Sequence, residues 1–422
     1  MDFCFVHAAD LHLDSPFAGI GSVAPAVAER LRNASLEAFD CLIAFTIERG
    51  AQFLLLAGDI YDKSQRGVRA QLRFYKGMER LAAANIPVYA AYGNHDHLDG
   101  WSAVREWPSN VHFFAPGEPQ ALKLTAHGQL LATIYGTSYA CRETTENLAL
   151  RYRRDRDEGL HIGVLHCNLG GPTDDAYSAC SLEDLARTRM DYWALGHLHK
   201  HAVLCSGDPW VVYPGCLQGG SLKESEQGEK GAVVAGVRES RVTDVQLVPL
   251  DRVRFLPLRI DIADVADLPA LCERLQREAD ALQLAASGRH VVVRAILTGR
   301  GALHGDLARQ DRTSELLAEL RAEFEGRDPI LFWEDVRDET CAGIDRAAIA
   351  RRGDFSAEVV RYADELLAQP DMLGAFAKEQ FAPLDKPRLR KSLAELDAPD
   401  PAQLLREASD LAMELLEEGN QA

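Results

Sequence analysis

Five short groups of residues able to bind a cation or move a proton each follow an apolar run. "AADLH" supplies Asp10 and His12, and "AGDIYD" supplies Asp59 and Asp62. "YGNHD" supplies Asn94, His95 and Asp96, "IGVLH" ends at His166, and "GHLHKH" supplies His197, His199 and His201. Asp-x-His and His-x-His place two donors on one side of an extended segment, because strand side chains alternate. Imidazole with carboxylate and no thiolate suits Mn2+, Fe or Zn2+, whereas an all-oxygen set would point to Mg2+ or Ca2+. About seven candidate ligands are too many for one ion, since a catalytic zinc usually takes about three from the protein. Two ions sharing a bridging Asp use such a set well, and ions about 3.5–4 Å apart recur in phosphatases and nucleases. Gly58, Gly93 and Gly196 each precede a candidate ligand, where a glycine permits a tight turn and close approach of the backbone.

The elements that must position these residues are legible as alternation. "FCFVHAA", "AQFLLLA" and "PVYAAY" read as strands; "APAVAERLRNASLEAFDCLIAFTIERG" and "VRAQLRFYKGMERLAAAN" read as the helices between them. The second strand is bare of charge, as suits a strand covered on both faces. From about residue 110 the runs shorten, from "VHFFA" and "ALKLTA" to "GAVVAGV" and "RVTDVQLVPL", and imply a second sheet. Two stacked mixed sheets with helices outside make an α/β four-layer αββα sandwich. Ligand sites in such sheets lie outside the carboxyl ends of the strands, where all five groups fall. A strand-helix-strand-helix-strand pattern restarts near residue 251, and after residue 341 only helical stretches remain, broken by prolines. The expected domains are therefore 1–250, a small αβ cap at 251–340, and a helical C-terminal region at 341–422 whose last helix carries one apolar stripe.

The totals exclude several classes. A net charge of −18 argues against a free-standing tight nucleic-acid binder, because phosphate affinity rests on Lys and Arg. It leaves a nuclease open, since metal ions offset carboxylates locally and a partner can bring basic surface. Nine scattered cysteines without a CxxC support neither a disulfide framework nor a zinc knuckle, and reduced thiols in a cytoplasm are expected. Asp10 and His12 come too early for a signal peptide, and no apolar run reaches the ~18 residues of a membrane span.

Taken together, the DxH, GDxxD, GNHD, lone-His and GHxH blocks resemble the calcineurin-like metallophosphoesterase superfamily over roughly residues 1–250. "HAADLHLDSPF", "LLLAGDIYDKS" and "YPGCLQGG…EKGAVVAGV" are similar to the SbcD/YhaO-type DNA repair exonucleases. The resemblance implies a metallophosphoesterase sandwich with a cap and a helical tail. It implies that Asp10, His12, Asp59 and His199 hold one metal, and that Asp59, Asn94, His166 and His197 hold a second, most often Mn2+. A hydroxide held between the metals would attack phosphorus. His95 would stabilise the transition state and help protonate the leaving oxygen, and Asp96 would orient His95. It also implies DNA as substrate, a coiled-coil ATPase partner of SbcC/YhaN type, and a homodimer. The family often has Asn and Arg where this chain has Cys216 and Gly220, which loosens the substrate assignment.

Other residues read more plainly. His7 reads as a core histidine, His97 and His201 as exposed polar residues, Asp62 as a loop brace, Asp14 as a turn residue and Cys167 as a buried thiol. The run "RYRRDRDEG" reads as a solvated face, with a nucleic-acid contact as its alternative, as for Arg66, Arg69 and Arg73. Beside the nuclease stand two competing functions: a small-substrate phosphoesterase acting on nucleotides, cyclic nucleotides or phosphoproteins, and a non-catalytic scaffold for the ATPase.

Overall fold

The computed structural model describes the chain apart from residues 1, 16, 18–23, 63–66, 97–102, 105, 127, 157, 173–174, 382–399 and 420–422. His97 and Arg66 therefore lie outside the described residues. Two six-stranded mixed sheets dominate. The first has the order β12-β11-β1-β2-β3-β4, from β1 (Phe3–Ala8), β2 (Leu54–Ala57), β3 (Val88–Ala91), β4 (Val111–Phe113), β11 (Gly231–Arg238) and β12 (Arg241–Pro249). Strands β1 to β4 run parallel; β11 pairs antiparallel with β1, and β12 antiparallel with β11. The second has the order β5-β6-β7-β8-β10-β9. Its strands are β5 (Gln120–Ala126), β6 (Gln129–Gly136), β7 (Leu160–His166), β8 (Tyr192–Gly196), β9 (Ala202–Cys205) and β10 (Trp210–Tyr213).

Strand periodicity explains the layering. In β2, Leu54 and Leu56 face the helix layer with Phe39, Leu42, Phe74 and Met78. Leu55 and Ala57 of the same strand face the other sheet, packing with Phe5, Ile134, Ile162, Val164 and Tyr192. Burying each large side chain on either face contributes about 1.5–3 kcal/mol. The outer cover of the second sheet is thin: Leu148 and Ala149 of a 3-10 turn and Leu185 of a short helix (Leu182–Arg187) lie over Trp193 and Leu195. The layers are thus those of the expected αββα sandwich.

The first expected helix is in fact two, α1 (Pro25–Leu31) and α2 (Ala34–Glu48), followed by α3 (Val68–Ala83). The break falls at Arg32 and Asn33, and the Asn33 side chain is taken by Arg69 of α3.

By contacts the chain divides into two compact units. The first comprises Met1–Leu258, Leu275–Ala295 and Leu317–Val336, and holds both large sheets. In it, Leu31 and Ala34 pack with Phe255, Val292 and Phe332, so the first core extends past residue 250. Asp251 is buried there against Arg254 at 2.9 Å and Arg289 at 2.8 Å. The second unit comprises Arg259–Arg274, Ile296–Leu316 and Arg337–Ala422. Its helices Arg346–Ala350, Phe355–Leu367 and Pro401–Gly419 meet at Ile349, Val360 and Met413. Arg346 ties them, reaching Asp364 at 2.7 Å and Asp410 at 2.8 Å.

Candidate metal centre

The site is built from chain reversals at strand ends. Asp10 (φ 50°), His12 (φ 41°), Asp59 (φ 51°) and His197 (φ 107°) all adopt the left-handed backbone that non-glycine residues avoid. Each such residue costs about 1–3 kcal/mol and persists only where its surroundings over-determine it. Here the loops after β1 and β2 are zipped together: Asp10 N–H donates to Gly58 O (3.1 Å), His12 N–H to Asp59 O (3.1 Å) and Leu13 N–H to Ile60 O (3.0 Å). Two glycines let the sheets close on this point. A Cβ at Gly196 would lie 1.8 Å from Ala57 O, and one at Gly58 would lie 2.3 Å from His166 Nδ1.

The side chains converge. Asp59 Oδ2 stands 3.8 Å from His12 Nε2 and 3.5 Å from His166 Nε2. His12 Nε2 and His199 Nε2 face each other at 3.2 Å. His166 Nε2 lies 2.9 Å from Asn94 Oδ1. Donor atoms of Asp10, His12 and His199 all fall within 4.8 Å of one another, as do those of Asp10, Asp59 and His166, and those of His12, Asp62 and His95. His197 stands outside these three tight groups; its N–H donates to both oxygens of Asp10 (3.1 and 3.0 Å), and its ring centroid is 5.2 Å from that of His166.

This chemistry fits divalent cations. His166 Nδ1 is spent on Ala57 O at 3.0 Å, so its Nε2 turns a lone pair toward Asn94 Oδ1 and Asp59 Oδ2. Facing electron pairs of this kind need a positive charge among them. The same demand shows in the titration of His12: burial pulls its pKa down, but Asp62, Asp59 and Asp10 outweigh burial and raise it to about 9. Burial raises the Asp59 carboxyl, yet His166, His12 and His95 together hold it below the usual range. His197 is pushed down to about 4, first by burial and then by His166, which favours the neutral imidazole that ligates metals.

His95 lines a cavity of about 330 Å3 together with His12, Asp62, His199, Lys223 and Glu226. Its N–H donates to Asp59 Oδ1 (2.9 Å), and its Nδ1 lies 2.6 Å from the Asp62 carbonyl oxygen. Nδ1–H is thereby committed, and the proton that His95 can give or take is the one on Nε2. The Asp62 carbonyl therefore helps to fix the ring. Asp96 is fully buried and accepts from the N–H groups of Ile60 (2.7 Å), Tyr61 (3.3 Å) and Gly93 (2.8 Å), which makes it the brace between two site loops.

Asp62 does more than brace, since it stands beside both His12 and His95. His201 is half-buried rather than exposed, its Nδ1 2.9 Å from Tyr213 O. His7 and Cys167 are buried and Asp14 is a turn residue with φ 64°. All nine cysteines are free. Four of the arginines considered for nucleic acid are engaged within the protein: Arg69 with Asp14, Arg73 with Asp40, Arg151 with Glu146 and Arg154 with Asp191. Sequence reading missed Glu226 and Lys230, both of which grip His199. They lie in the acid-rich stretch "KESEQGEK", where no periodicity singles them out.

A family model of calcineurin-like phosphoesterases matches residues 4–201, and a model of the metallophosphoesterase YhaO middle domain matches residues 255–341. The chain is 37% identical over 329 residues to the metallophosphoesterase YhaO of Bacillus subtilis, itself uncharacterized, covering 77% of this chain and 79% of that protein. The chain belongs to the calcineurin-like metallophosphoesterases, in the YhaO family. It is a metal-dependent phosphoesterase. More distant relatives are the DNA double-strand break repair proteins Mre11 of Aeropyrum pernix (25% identical, 61% of this chain, 64% of that protein) and of Halobacterium salinarum (24%, 60% and 63%). Among the described residues no helix of this YhaO relative is long and apolar enough to cross a membrane.

Proposed function

We propose that this chain is a phosphodiesterase that cleaves DNA in a repair complex, with Mn2+ as its metal and a coiled-coil ATPase of SbcC/YhaN type as its partner. The observation that carries the reading is the position of Asp59 Oδ2 between His12 and His166, which suits a carboxylate shared by two ions. Asp10, His12, Asp59 and His199 would hold one cation, and Asp59, Asn94, His166 and His197 the other. Bound there, the two cations supply Lewis acidity and lower the pKa of water into the neutral range.

The chain's own residues do the rest. Strained loops hold the donors in place before substrate arrives, so no reorganisation is needed during the reaction. His95 in the cavity lining stabilises charge on the phosphoryl oxygens and passes its Nε2 proton to the leaving oxygen. DNA as the substrate is supported by the likeness to Mre11 proteins. The need for a partner follows from the charge of −18, which makes unaided DNA binding weak and salt-sensitive. We extend the proposal to domains at 1–250, 251–340 and 341–422, with the last docking on the ATPase, to a homodimer and to a cytoplasmic setting.

The test is release of nucleotides from linear DNA by Mn2+-loaded protein, with and without the ATPase, alongside hydrolysis of bis-p-nitrophenyl phosphate. DNA cleavage that the ATPase stimulates and that His95→Ala lacks is the expected result. Turnover of the small diester without DNA cleavage would replace this reading by a small-substrate phosphoesterase. Inactivity on both, with ATPase binding intact, would leave a scaffold.

A further inference from the structure

We propose that Glu226 is a positioning residue of the metal centre, its carboxylate fixing the His199 ring so that Nε2 faces the donor set. The inference rests on the reading of His199 as a ligand. Glu226 Oε1 lies 3.4 Å from His199 Nδ1, on the far side of the ring from the Nε2 that meets His12. The other oxygen, Oε2, accepts from Gly220 N–H (2.9 Å) and from the Ser221 hydroxyl (3.0 Å). The carboxylate is therefore itself held from two sides and cannot swing away freely.

The main chain of His199 is fixed independently. Lys230, 4% exposed, donates to His199 O at 3.0 Å and to Ser225 O at 2.6 Å, and Cys216 N–H donates to His199 O at 3.1 Å. What remains free is rotation of the imidazole, and Glu226 removes that freedom. It also selects the tautomer: with Nδ1–H given to the carboxylate, Nε2 carries the lone pair that a metal needs. Partners of this kind typically change metal affinity by about 10–100-fold when removed.

The test measures Mn2+ binding by electron paramagnetic resonance of the free ion, together with Tm, on the full chain and on Glu226→Ala, Glu226→Gln and Ser221→Ala. Glu226→Ala is expected to weaken one of two Mn2+ sites about 10–100-fold while sparing the other. Glu226→Gln should recover only part of that loss: its one carbonyl oxygen can accept from Nδ1–H, but the NH2 that then replaces Oε2 cannot accept from Gly220 N–H. Ser221→Ala, which loosens the loop but leaves the His199 contact, should bind as the wild type does. The role is overturned if Glu226→Ala binds two Mn2+ with wild-type affinity. It is equally overturned if Ser221→Ala and Glu226→Ala lose affinity and Tm together, for then Glu226 is only a loop staple. Wild-type protein that takes up no Mn2+ would overturn the metal-centre reading itself, and this role with it.

Discussion

The two large sheets bury histidines in two different ways. His7 within β1 and His161 near the start of β7 each meet a phenol: His7 Nδ1 lies 3.0 Å from Tyr192 Oη, and His161 Nδ1 lies 3.0 Å from Tyr135 Oη. His166 and His197 sit where β7 and β8 end, and their neighbours are carboxylates, Asp59 and Asp10. All four are largely or wholly withdrawn from water, so burial does not separate the classes. What separates them is the company of anions and the reversal of the chain. A mid-strand histidine is one side chain in a packed layer, whereas a strand-end histidine stands where several loops can bring donors to one point.

The largest effect should come from removing the anion common to the second class. Asp59→Ala deletes the oxygen between His12 and His166 and the acceptor of His95 N–H. We expect loss of both Mn2+ ions and a fall in kcat of at least ~10³-fold, equivalent to about 4 kcal/mol of barrier. Metal content by mass spectrometry and diester turnover check this. His7→Leu is the counterpart, and should keep both ions. Equal metal loss in the two variants would dissolve the distinction.

His95→Ala is expected to be next in size. It removes no ligand in our assignment, so two Mn2+ ions should remain bound while kcat falls about 10²–10⁴-fold, the usual range for a positioned acid or base. A variant that lost metal as well would move His95 into the ligand set with His12 and Asp62, to which its geometry also brings it.

Much of this was legible in the residues. The strands β1, β2 and β3 are short apolar runs, and the polar clusters after them stand out because no packing reason explains them. The layering follows from alternation, as Leu54 and Leu56 against Leu55 show. Three features were not legible, for one physical cause: each depends on which distant backbone comes to lie beside a side chain. Asp96 in "GNHD" also accepts from the N–H groups of Ile60 and Tyr61, a bracing of the distant loop after β2 that nothing local announces. Glu226 and Lys230 acquire meaning only because the chain returns past His199 on its way into β11. The packing of Leu31 with Phe255 and Phe332 across residue 250 likewise has no local signature.

Lys223 gives a smaller effect that separates substrate contact from metal holding. It lines the cavity beside His95 and Glu226, and its neighbours Lys200 and Lys230 are already engaged, with Glu224 and with backbone carbonyls. Lys223→Ala should raise KM for DNA a few-fold and reduce the salt slope of DNA binding by about 1, as for loss of one phosphate contact. Turnover of bis-p-nitrophenyl phosphate, which has no flanking phosphates, should be unchanged. An equal change on both substrates would assign Lys223 to the reacting phosphate instead.

The smallest expected effect concerns stability and comes from the mid-strand class. Burial pushes the pKa of His7 down to about 3, well below the ordinary value near 6.5. The folded protein thus holds this imidazole neutral, while the unfolded chain takes up a proton as pH falls below about 6.5. Stability contributed by the neutral form is fully present above that value and is lost as pH falls toward 3. The slope from this one group approaches about 1.4 kcal/mol per pH unit. His7→Leu removes the group that titrates, so the urea midpoint of the variant should fall less steeply between pH 6.5 and 4 than that of the wild type, whatever the absolute stabilities. A strand-end histidine would behave otherwise, since a bound cation excludes the proton for as long as it stays. Parallel slopes for wild type and His7→Leu would mean that His7 is protonated in the fold, and that the phenol of Tyr192 accommodates charge as the carboxylates do at the strand ends.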